Sequence, residues 1–566
     1  MTRDEFRQLQ QQLIAKYHET FSGQQPLLII NVGECTIAKG VHALVAQAEA
    51  EIARRGADFS IKQVGCDGMC YAEPLVHVKK AGQPRLTYGR VTPDTLKLII
   101  ERALLGNDPL PQLALYNDSA EPWQGIPPQR ALSFWEKQER IVLENAGLID
   151  PESIQDYIGR GGYAAWEKAL FAMTPEQIIE EMKIANVRGR GGAAFNAGIK
   201  WESGRATRNW PKYFICNGHE GEPNVFKDRK IMESDPHRVI EGIIIGAYCL
   251  DTPNAFIYIG AEFPLAIARV RHAIREAYAL GLLGENVLGS GFSVHLKVRV
   301  GGGGYIAGEG SAQMYSIMGQ RAMPRTKPPR SVEYGLWGKP TVLNNVETLS
   351  NVKNIVLNGG AWYAAKGTKD SPGTKVYSMA GRIKQPGVSE LEFGLPLRYL
   401  IEGVSGGMLD GYRFKAIQTG GPSGGCIAEP DLDLPLDYTA LETVGGMIGS
   451  GGYVVFDHTN DAVELSRYFM EFNRLESCGK CTPCRLGTKA MLEILDRILA
   501  GEGRPDDLDT LDYASKETIE LSLCGLGQTA PIPHLNLVKY FRSEFEERIR
   551  RANPGAAQPA LALTAD

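Results

Sequence analysis

The sequence predicts a multidomain α/β protein. Three observations carry that expectation: its length, the alternation of strand-like and helix-like segments through its middle, and a helical C-terminal stretch holding a tight cysteine array. At 566 residues the chain exceeds what one hydrophobic core organises, since domains usually run to roughly 100 to 200 residues. It is 43% hydrophobic and 22% charged with a net charge of -5, an ordinary globular composition that gives no reason to expect nucleic acid as a partner. No segment approaches the roughly 20 consecutive apolar residues that cross a bilayer, and the opening residues lack the apolar stretch of a signal peptide. A cytoplasmic protein without direct membrane insertion is expected. The ten cysteines are bunched rather than spread, which in a reducing compartment favours metal ligation over cross-linking.

Residues 1–110 read as a small α/β unit that suits a thioredoxin-like fold. A helix from Phe6 to Phe21 precedes the buried-strand run Pro26 to Gly33; a helix over Val41 to Arg55 follows, then strand-like Phe59 to Val64 and Pro74 to Lys79. Residues 111–130 are rich in Pro, Gln and Asn and read as a linker. Across 131–355, strand candidates Tyr213 to Asn217 and Ala255 to Gly260 alternate with helices such as Pro264 to Leu282, the pattern of a doubly wound parallel sheet. Residues 360–455 are Gly-rich with short strands. Residues 460–552 read as helical, with segments at Leu465 to Asn473, Thr488 to Leu499 and Leu535 to Arg550; the Ala- and Pro-rich tail 553–566 is expected to be disordered.

The densest chemical signal is Cys478, Cys481 and Cys484 in a C-x2-C-x2-C array, with Cys524 further on. A [4Fe-4S] cluster takes four cysteine ligands, and three on one loop plus one from afar can enclose it. Structural zinc also accepts four cysteines, and unligated packing cysteines are the bland alternative. Lys480 and Arg485 would offset the charge of a cluster or be merely solvated. Two glycine-rich stretches, Arg188 to Lys200 and Arg299 to Glu309, bring backbone N–H groups close enough to cradle a phosphate, although neither is the standard dinucleotide fingerprint and ordinary turns explain either one alone. The polar stretch Cys216 to Arg229 follows a strand candidate, where ligands meet open α/β sheets. Its Lys227, Asp228 and Arg229 read equally well as a charged surface loop; Asn217 and Glu222 do so less readily.

Taken together, Arg140 to Pro151, Gly161 to Tyr163, Gly189 to Phe195, Gly335 to Thr348, Gly420 to Gly425 and the cysteine array resemble the FMN- and NADH-binding flavoprotein subunit of respiratory complex I. The diaphorase subunits of soluble NAD-linked hydrogenases and formate dehydrogenases are its relatives, and the similarity covers about residues 130 to 550. The resemblance implies a Rossmann-like FMN domain, a ubiquitin-like (SLBB) domain over 360–455 and a helical bundle with the cluster. It implies FMN contacts at Gly189, Gly191, Lys200, Asn217, His219, Glu220, Tyr305, Gly308, Glu309, Asn344, Asn345 and Thr348. On the dinucleotide side it implies Phe195, Glu222, Gly310, Lys327 and Arg330, with Glu222 as the carboxylate beside the flavin. The activity implied is hydride exchange between NAD(P)H and the flavin, followed by single-electron steps to the cluster.

Four positions depart from the family pattern. His219 stands where an aspartate is usual, Gly310 where Gly-Glu-Glu has its second glutamate, Arg330 where a phenylalanine is expected, and Ser203 near a second phenylalanine of some members. Losing the carboxylate at 310 removes a like charge from a 2′-phosphate, and Arg330 offers a bidentate partner. NADPH is therefore expected to be accepted. The competing expectation is a relay subunit that has lost its dinucleotide site. The N-terminal unit resembles the thioredoxin-like [2Fe-2S] module often fused to this subunit, yet only Cys35, Cys66 and Cys70 are present; Ile30 and Gly40 occupy the positions a fourth ligand would take. A degenerate, cluster-free docking domain is expected. Partner redox subunits are implied, of a molybdenum or tungsten formate dehydrogenase or a hydrogenase. His237, His272, His534, Cys249 and Cys426 read as packing or surface residues.

Overall fold

The computed structural model describes residues 1–56 and 59–553; most of the expected disordered tail lies outside them. Three sheets are built from fourteen strands among the described residues. The first comprises β1 (Leu27–Asn31), β2 (Ser60–Val64), β3 (Val76–Lys79), β4 (Leu86–Tyr88) and β5 (Ala114–Asn117), in the order β2-β1-β3-β4-β5. β1 pairs parallel with β2 and antiparallel with β3. All five residues of β1 are buried, as its unbroken apolar run requires.

The second sheet holds β6 (Tyr213–Gly218), β7 (Asn254–Gly260), β8 (His295–Gly301) and β9 (Thr341–Asn345), in the order β8-β7-β6-β9 with every pair parallel. Both faces are covered. Ala255, Ile257 and Ile259 of β7 enter the largest core cluster, while Phe256 and Tyr258, alternating with them, enter a smaller one on the other side. The chain steps from β6 through β7 to β8 in one direction and then returns to place β9 on β6's free side. The strand order therefore reverses between β6 and β9, which opens a crevice at their carboxyl ends.

The third sheet is mixed, comprising β10 (Thr374–Gly381), β11 (Gly387–Glu392), β12 (Phe414–Thr419), β13 (Cys426–Ala428) and β14 (Gly452–Asp457), in the order β11-β10-β14-β12-β13 with β10 and β14 parallel. The helices Ala462–Glu476, Thr488–Leu499, Asp507–Leu521 and Ile532–Ala552 then pack around their own apolar core, which includes Phe469, Leu495, Leu511 and Phe545.

Three expectations change. Residues 111–130 are no linker: β5 extends the first sheet by pairing with β4, and Ile126 is fully buried in that core. Pro and Asn here mark tight turns around an edge strand rather than a free tether. The first helix, Arg3–Ser22, packs its Phe6 and Leu13 into the core of the parallel-sheet unit rather than into that of its own unit. Phe134 and Trp135, expected with the parallel sheet, pack in the core of the third sheet, and Gln138 bridges to Leu391 of β11.

Candidate functional site

A cavity of 930 Å³ opens at the β6/β9 reversal, and every residue expected to touch FMN or the dinucleotide contributes to its wall. The reason is topological. Asn217 lies one residue before the end of β6, Asn344 and Asn345 end β9, and the two glycine stretches enter from the segment preceding β6 and from the end of β8.

Glycine is sterically favoured at several points of the wall, two of them beside expected ligand contacts. A Cβ on Gly191 would come within 3.0 Å of the Asn345 Cβ, and one on Gly421, at φ +84°, would lie 2.7 Å from the Glu222 carboxyl carbon. Gly302, Gly303 and Gly304, by contrast, face open space. Arg190, inside the first glycine loop, is fully buried; it donates to the Tyr363 hydroxyl at 2.9 Å and the Pro372 carbonyl at 2.8 Å, tying that loop to the segment leading into the third sheet.

Several expected contacts hold the wall itself. The Asn217 amide donates to the Gly308 carbonyl at 2.9 Å while its oxygen accepts from Gln313 at 2.7 Å. Asn344 accepts from the Trp201 indole at 2.9 Å, and the Thr348 hydroxyl accepts the Arg190 N–H at 2.9 Å. Glu309 caps the helix Gly310–Ile317 through Ser311 and Ala312 and pairs with Lys327 at 3.3 Å. His219 and Glu220, expected as cofactor contacts, have their side chains committed elsewhere. The His219 ring is 1% exposed and bonds through Nε2 to the Gly304 carbonyl at 2.9 Å, so burial keeps it neutral. The Glu220 carboxylate accepts the N–H groups of Asp228 and Arg229 at the start of the helix Lys227–Ser234.

That helix corrects another expectation. Lys227 and Asp228 are buried, not solvated, because a closed charge network surrounds them. The Lys227 ammonium lies 2.7 Å from Asp228 and 3.1 Å from Glu347; Lys375 lies 2.5 Å from Glu347. Asp228 in turn accepts from Asn345 at 2.6 Å, which fixes the cavity floor. Burial works against the charge of Lys227, but Asp228, Glu347 and Glu220 outweigh it and raise its pKa. Burial alone dominates at Lys375, pulling it down to about 7.

Groups facing the cavity remain. The Phe195 ring is half exposed, with the Lys200 ammonium 5.9 Å from its centroid. Lys200 donates to the Leu343 carbonyl at 2.9 Å; burial, and then Lys327, draw its pKa down to about 8. An anion beside it restores the charge. Binding of a phosphate-bearing ligand is therefore expected to weaken as pH rises through about 8, and Lys200→Met to flatten that dependence; equilibrium titration of FMN into flavin-stripped protein across pH measures it. Glu222 is half-buried; Tyr305 donates to it at 3.0 Å and Ser450 closes on its other oxygen. Burial pushes its carboxyl up, and the two hydroxyls partly offset that. Ser450 and Gln528 also line the cavity and were not anticipated; Asp228, for which a surface loop was the alternative, and Ser423, inside a motif, line it too. The Gly420 to Gly425 motif was the one sequence signal that pointed near Ser423.

The cysteine array adjoins this wall. Gly525, Leu526, Gln528 and Thr529, which directly follow Cys524, line the cavity, and the Tyr305 N–H donates to Glu476 at 2.7 Å just ahead of Cys478. The C-x2-C-x2-C loop meets the Cys524 segment at Cys484: a Cβ placed on Gly527, three residues past Cys524, would lie 3.0 Å from the Cys484 Cβ. Burial pushes the Cys524 thiol up, and the Leu526 and Gly527 N–H groups that its sulfur accepts partly offset this. Among the described residues no three His, Cys, Asp or Glu side chains are placed to hold a single metal ion. The donor set, four cysteines from two adjoining segments, fits an iron-sulfur cluster. Cys249 and Cys426 are fully buried packing residues; His237 and His534 are buried and hydrogen-bonded to Tyr163 and Ser466.

Residues 172–354 match the family model described as the Nuo51 FMN-binding domain, and residues 464–548 match that of the NADH-ubiquinone oxidoreductase-F iron-sulfur binding region. The chain is 46% identical over 413 residues to the NADP-reducing hydrogenase subunit HndC of Solidesulfovibrio fructosivorans, covering 73% of this chain and 84% of that protein. It is 43% identical over 411 residues to the NADH-quinone oxidoreductase F 2 subunit of Rhizobium meliloti, covering 73% and 98%. The F subunit of the Escherichia coli NADH-quinone oxidoreductase is 40% identical over 403 residues, covering 71% and 91%. The crystal structure of an NAD+-reducing [NiFe]-hydrogenase in the H2-reduced state aligns with a TM-score of 0.65 over 97% of this chain and 90% of that one, at 26% identity.

Proposed function

Because the chain belongs to the family of FMN- and NADH-binding flavoproteins that includes the F subunit of NADH-quinone oxidoreductase, we propose that its cavity holds FMN and the dinucleotide side by side, with the [4Fe-4S] cluster on Cys478, Cys481, Cys484 and Cys524 directly behind them. The protein is a diaphorase subunit of a multisubunit oxidoreductase, moving electrons between NAD(P)(H), FMN and the cluster. The observation that carries the spatial reading is the shared wall: Gly525, Leu526, Gln528 and Thr529, directly after Cys524, line the cavity, and Gly527 between them packs against Cys484.

When bound, FMN supplies the conversion between two-electron and one-electron chemistry, and the cluster accepts single electrons. The chain's residues do the positioning. Lys200 offers a cation to anionic ligand groups; Phe195 offers an aromatic face at the mouth. Tyr305 and Ser450 hold Glu222 where it either keeps or gives up a proton close to the ligand. Met447 and Leu526 keep water from the inner wall. The test is steady-state reduction of a viologen by NAD(P)H with flavin- and iron-replete protein, where turnover requiring both cofactors is expected; turnover that survives removal of either would overturn the proposal.

A second reading concerns the coenzyme. Gly310 opens the helix after Glu309, and a Cβ there would meet only the Leu343 Cδ1 at 4.0 Å, so a carboxylate would fit and is absent. Lys327 and Arg330 are exposed on the same wall, and no side chain among the described residues pairs with the Arg330 guanidinium. These features support acceptance of NADPH. Gly310→Glu is expected to lower kcat/KM for NADPH relative to NADH by about tenfold or more, because a like charge against the 2′-phosphate costs at least about 1.4 kcal/mol. An unchanged ratio would remove this role from the site.

The order β11-β10-β14-β12-β13 with its parallel central pair supports reading 360–455 as a ubiquitin-like unit, and the β2-β1-β3-β4 arrangement supports a thioredoxin-like N-terminal unit. We read the latter as a docking domain without a [2Fe-2S] cluster. Partner redox subunits follow from the family; a hydrogenase or a molybdenum or tungsten formate dehydrogenase subunit both fit this role. No helix among the described residues is long and apolar enough to cross a membrane, in keeping with a cytoplasmic complex.

A further inference from the structure

β8 is an edge strand of the parallel sheet and pairs with β7 alone. The His295 N–H donates to the Pro253 carbonyl at 2.8 Å, and the Gly301 carbonyl accepts the Ala261 N–H at 3.0 Å. These bonds turn the backbone groups of residues 295, 297, 299 and 301 toward β7, and those of 296, 298 and 300 outward. The outward Leu296 N–H finds the Tyr278 hydroxyl at 3.2 Å. Among the described residues nothing bonds the outward N–H and C=O groups of Val298 and Val300. Three other sheet edges are closed. On β9 the Thr341 N–H donates to Ser331 and the Leu343 carbonyl accepts from Lys200; on β11 the Val388 N–H donates to Gly68 and the Glu390 carbonyl accepts from Glu139; on β13 the Cys426 N–H donates to Asn536.

The side chains of β8 sort by face. Leu296 and Val298 turn to the large core, and Val300, in line with them, is 42% exposed. Lys297 and Arg299 stand on the opposite face, both exposed. Arg299 lies 5.6 Å over the Phe256 ring, and neither cation pairs with a carboxylate among the described residues. Two such charges keep copies of the chain apart: about a two-fold axis at Val298, Lys297 of one copy would face Arg299 of the other. They select a strand of opposite charge.

We propose that the β8 edge takes up an extended segment of a partner protein in which acidic side chains alternate with apolar ones. Main-chain bonds to Val298 and Val300 hold the added strand, its acidic side chains meet Lys297 and Arg299, and its apolar ones continue the face of Val298 and Val300. The position reaches the cavity. β8 runs directly into Gly302, Gly303 and Gly304 and on to Tyr305 of the cavity wall, so the docked strand fixes the start of that loop.

The test uses the full chain with flavin and cluster in place and a fluorescein-labelled Glu-Val-Glu-Val-Glu-Val peptide, followed by fluorescence anisotropy at low ionic strength and by hydrogen exchange. The peptide is expected to bind, to slow exchange at the Val298 and Val300 amides, and to bind at least about tenfold more tightly than Glu-Glu-Glu-Val-Val-Val. Val298→Pro, which removes an outward N–H at a position where an edge strand tolerates proline, is expected to weaken binding by about tenfold or more. The exposed double variant Lys297→Glu, Arg299→Glu is expected to reverse the preference toward Lys-Val-Lys-Val-Lys-Val; flavin absorbance verifies that each variant is folded. No binding, equal affinity for the block peptide, binding that both variants leave unchanged, or protection centred away from residues 296–300 would overturn the proposal. Protection of Val298 and Val300 that appears with rising protein concentration and no peptide would overturn it in favour of a second copy of the chain.

Discussion

Cys524→Ser is expected to abolish the cluster while leaving the flavin in place: iron falls from about four atoms per chain to nearly none, because a [4Fe-4S] cluster held by thiolates loses its only ligand from outside the C-x2-C-x2-C loop. The fold should persist, since the core built on Phe469, Leu495, Leu511 and Phe545 lies among helix faces that do not include this residue. The variant separates two halves of the activity. NAD(P)H still bleaches the flavin, but reduction of an acceptor that draws on the cluster falls in proportion to the iron lost. Iron analysis with electron paramagnetic resonance of the dithionite-reduced protein reads the first effect, and parallel stopped-flow and viologen assays read the second. A variant that retains its iron would move the fourth ligand to another residue.

Lys227→Met is expected to destabilise the parallel-sheet unit by about 3–5 kcal/mol, the range for removing one partner from a buried charge network. The substitution leaves buried Asp228 without the ammonium 2.7 Å away and leaves Glu347, 3.1 Å from it, paired with Lys375 alone. The pH dependence has a definite sign. Burial, and then Asp228, raise the Glu220 carboxyl to about 7, from an ordinary value near 4.5. Its folded form holds a proton that the unfolded chain releases, so its contribution to stability is present below about 4.5 and is lost as pH climbs through about 7. Without Lys227 the remaining carboxylates also ionise against one another, so the deficit should widen over the same interval. Urea unfolding at pH 5 and pH 7.5, followed by flavin release, measures both quantities. A loss below about 1 kcal/mol, the scale of a surface pair, would show that the network is solvated.

Where one periodicity dominates, the sequence was legible almost to the residue. The helices Val41–Arg55 and Thr488–Leu499 have the bounds their apolar spacing predicts, because each turns one apolar stripe into the core of its own unit. β6 and β7 were legible for the complementary reason: unbroken apolar runs suit strands covered on both faces. β5 was not, because an edge strand of four residues between prolines has the composition of a loop. The first helix was placed correctly along the chain, but its amphipathic stripe cannot say which unit it covers. The cavity walls divide the same way. Glycine motifs and strand-end asparagines pointed to it, whereas Ser450 reaches Glu222 from 228 positions away and Arg190 reaches Tyr363 from 173. Lys227 and Asp228 were ambiguous because a charge carries no local mark of burial; only partners contributed by distant segments make their burial tolerable.

The central claim is that electrons pass from the dinucleotide to the cluster through flavin bound in this one cavity. Anaerobic stopped-flow absorbance of the flavin- and iron-replete protein, mixed separately with NADH and NADPH, tests it most directly. The account predicts rapid bleaching of the flavin band with at least one coenzyme, followed by slower bleaching of the broad iron-sulfur absorbance, with the second phase missing in Cys524→Ser. Protein that dithionite reduces but neither coenzyme bleaches would contradict the account and leave a relay subunit whose electrons arrive from a partner.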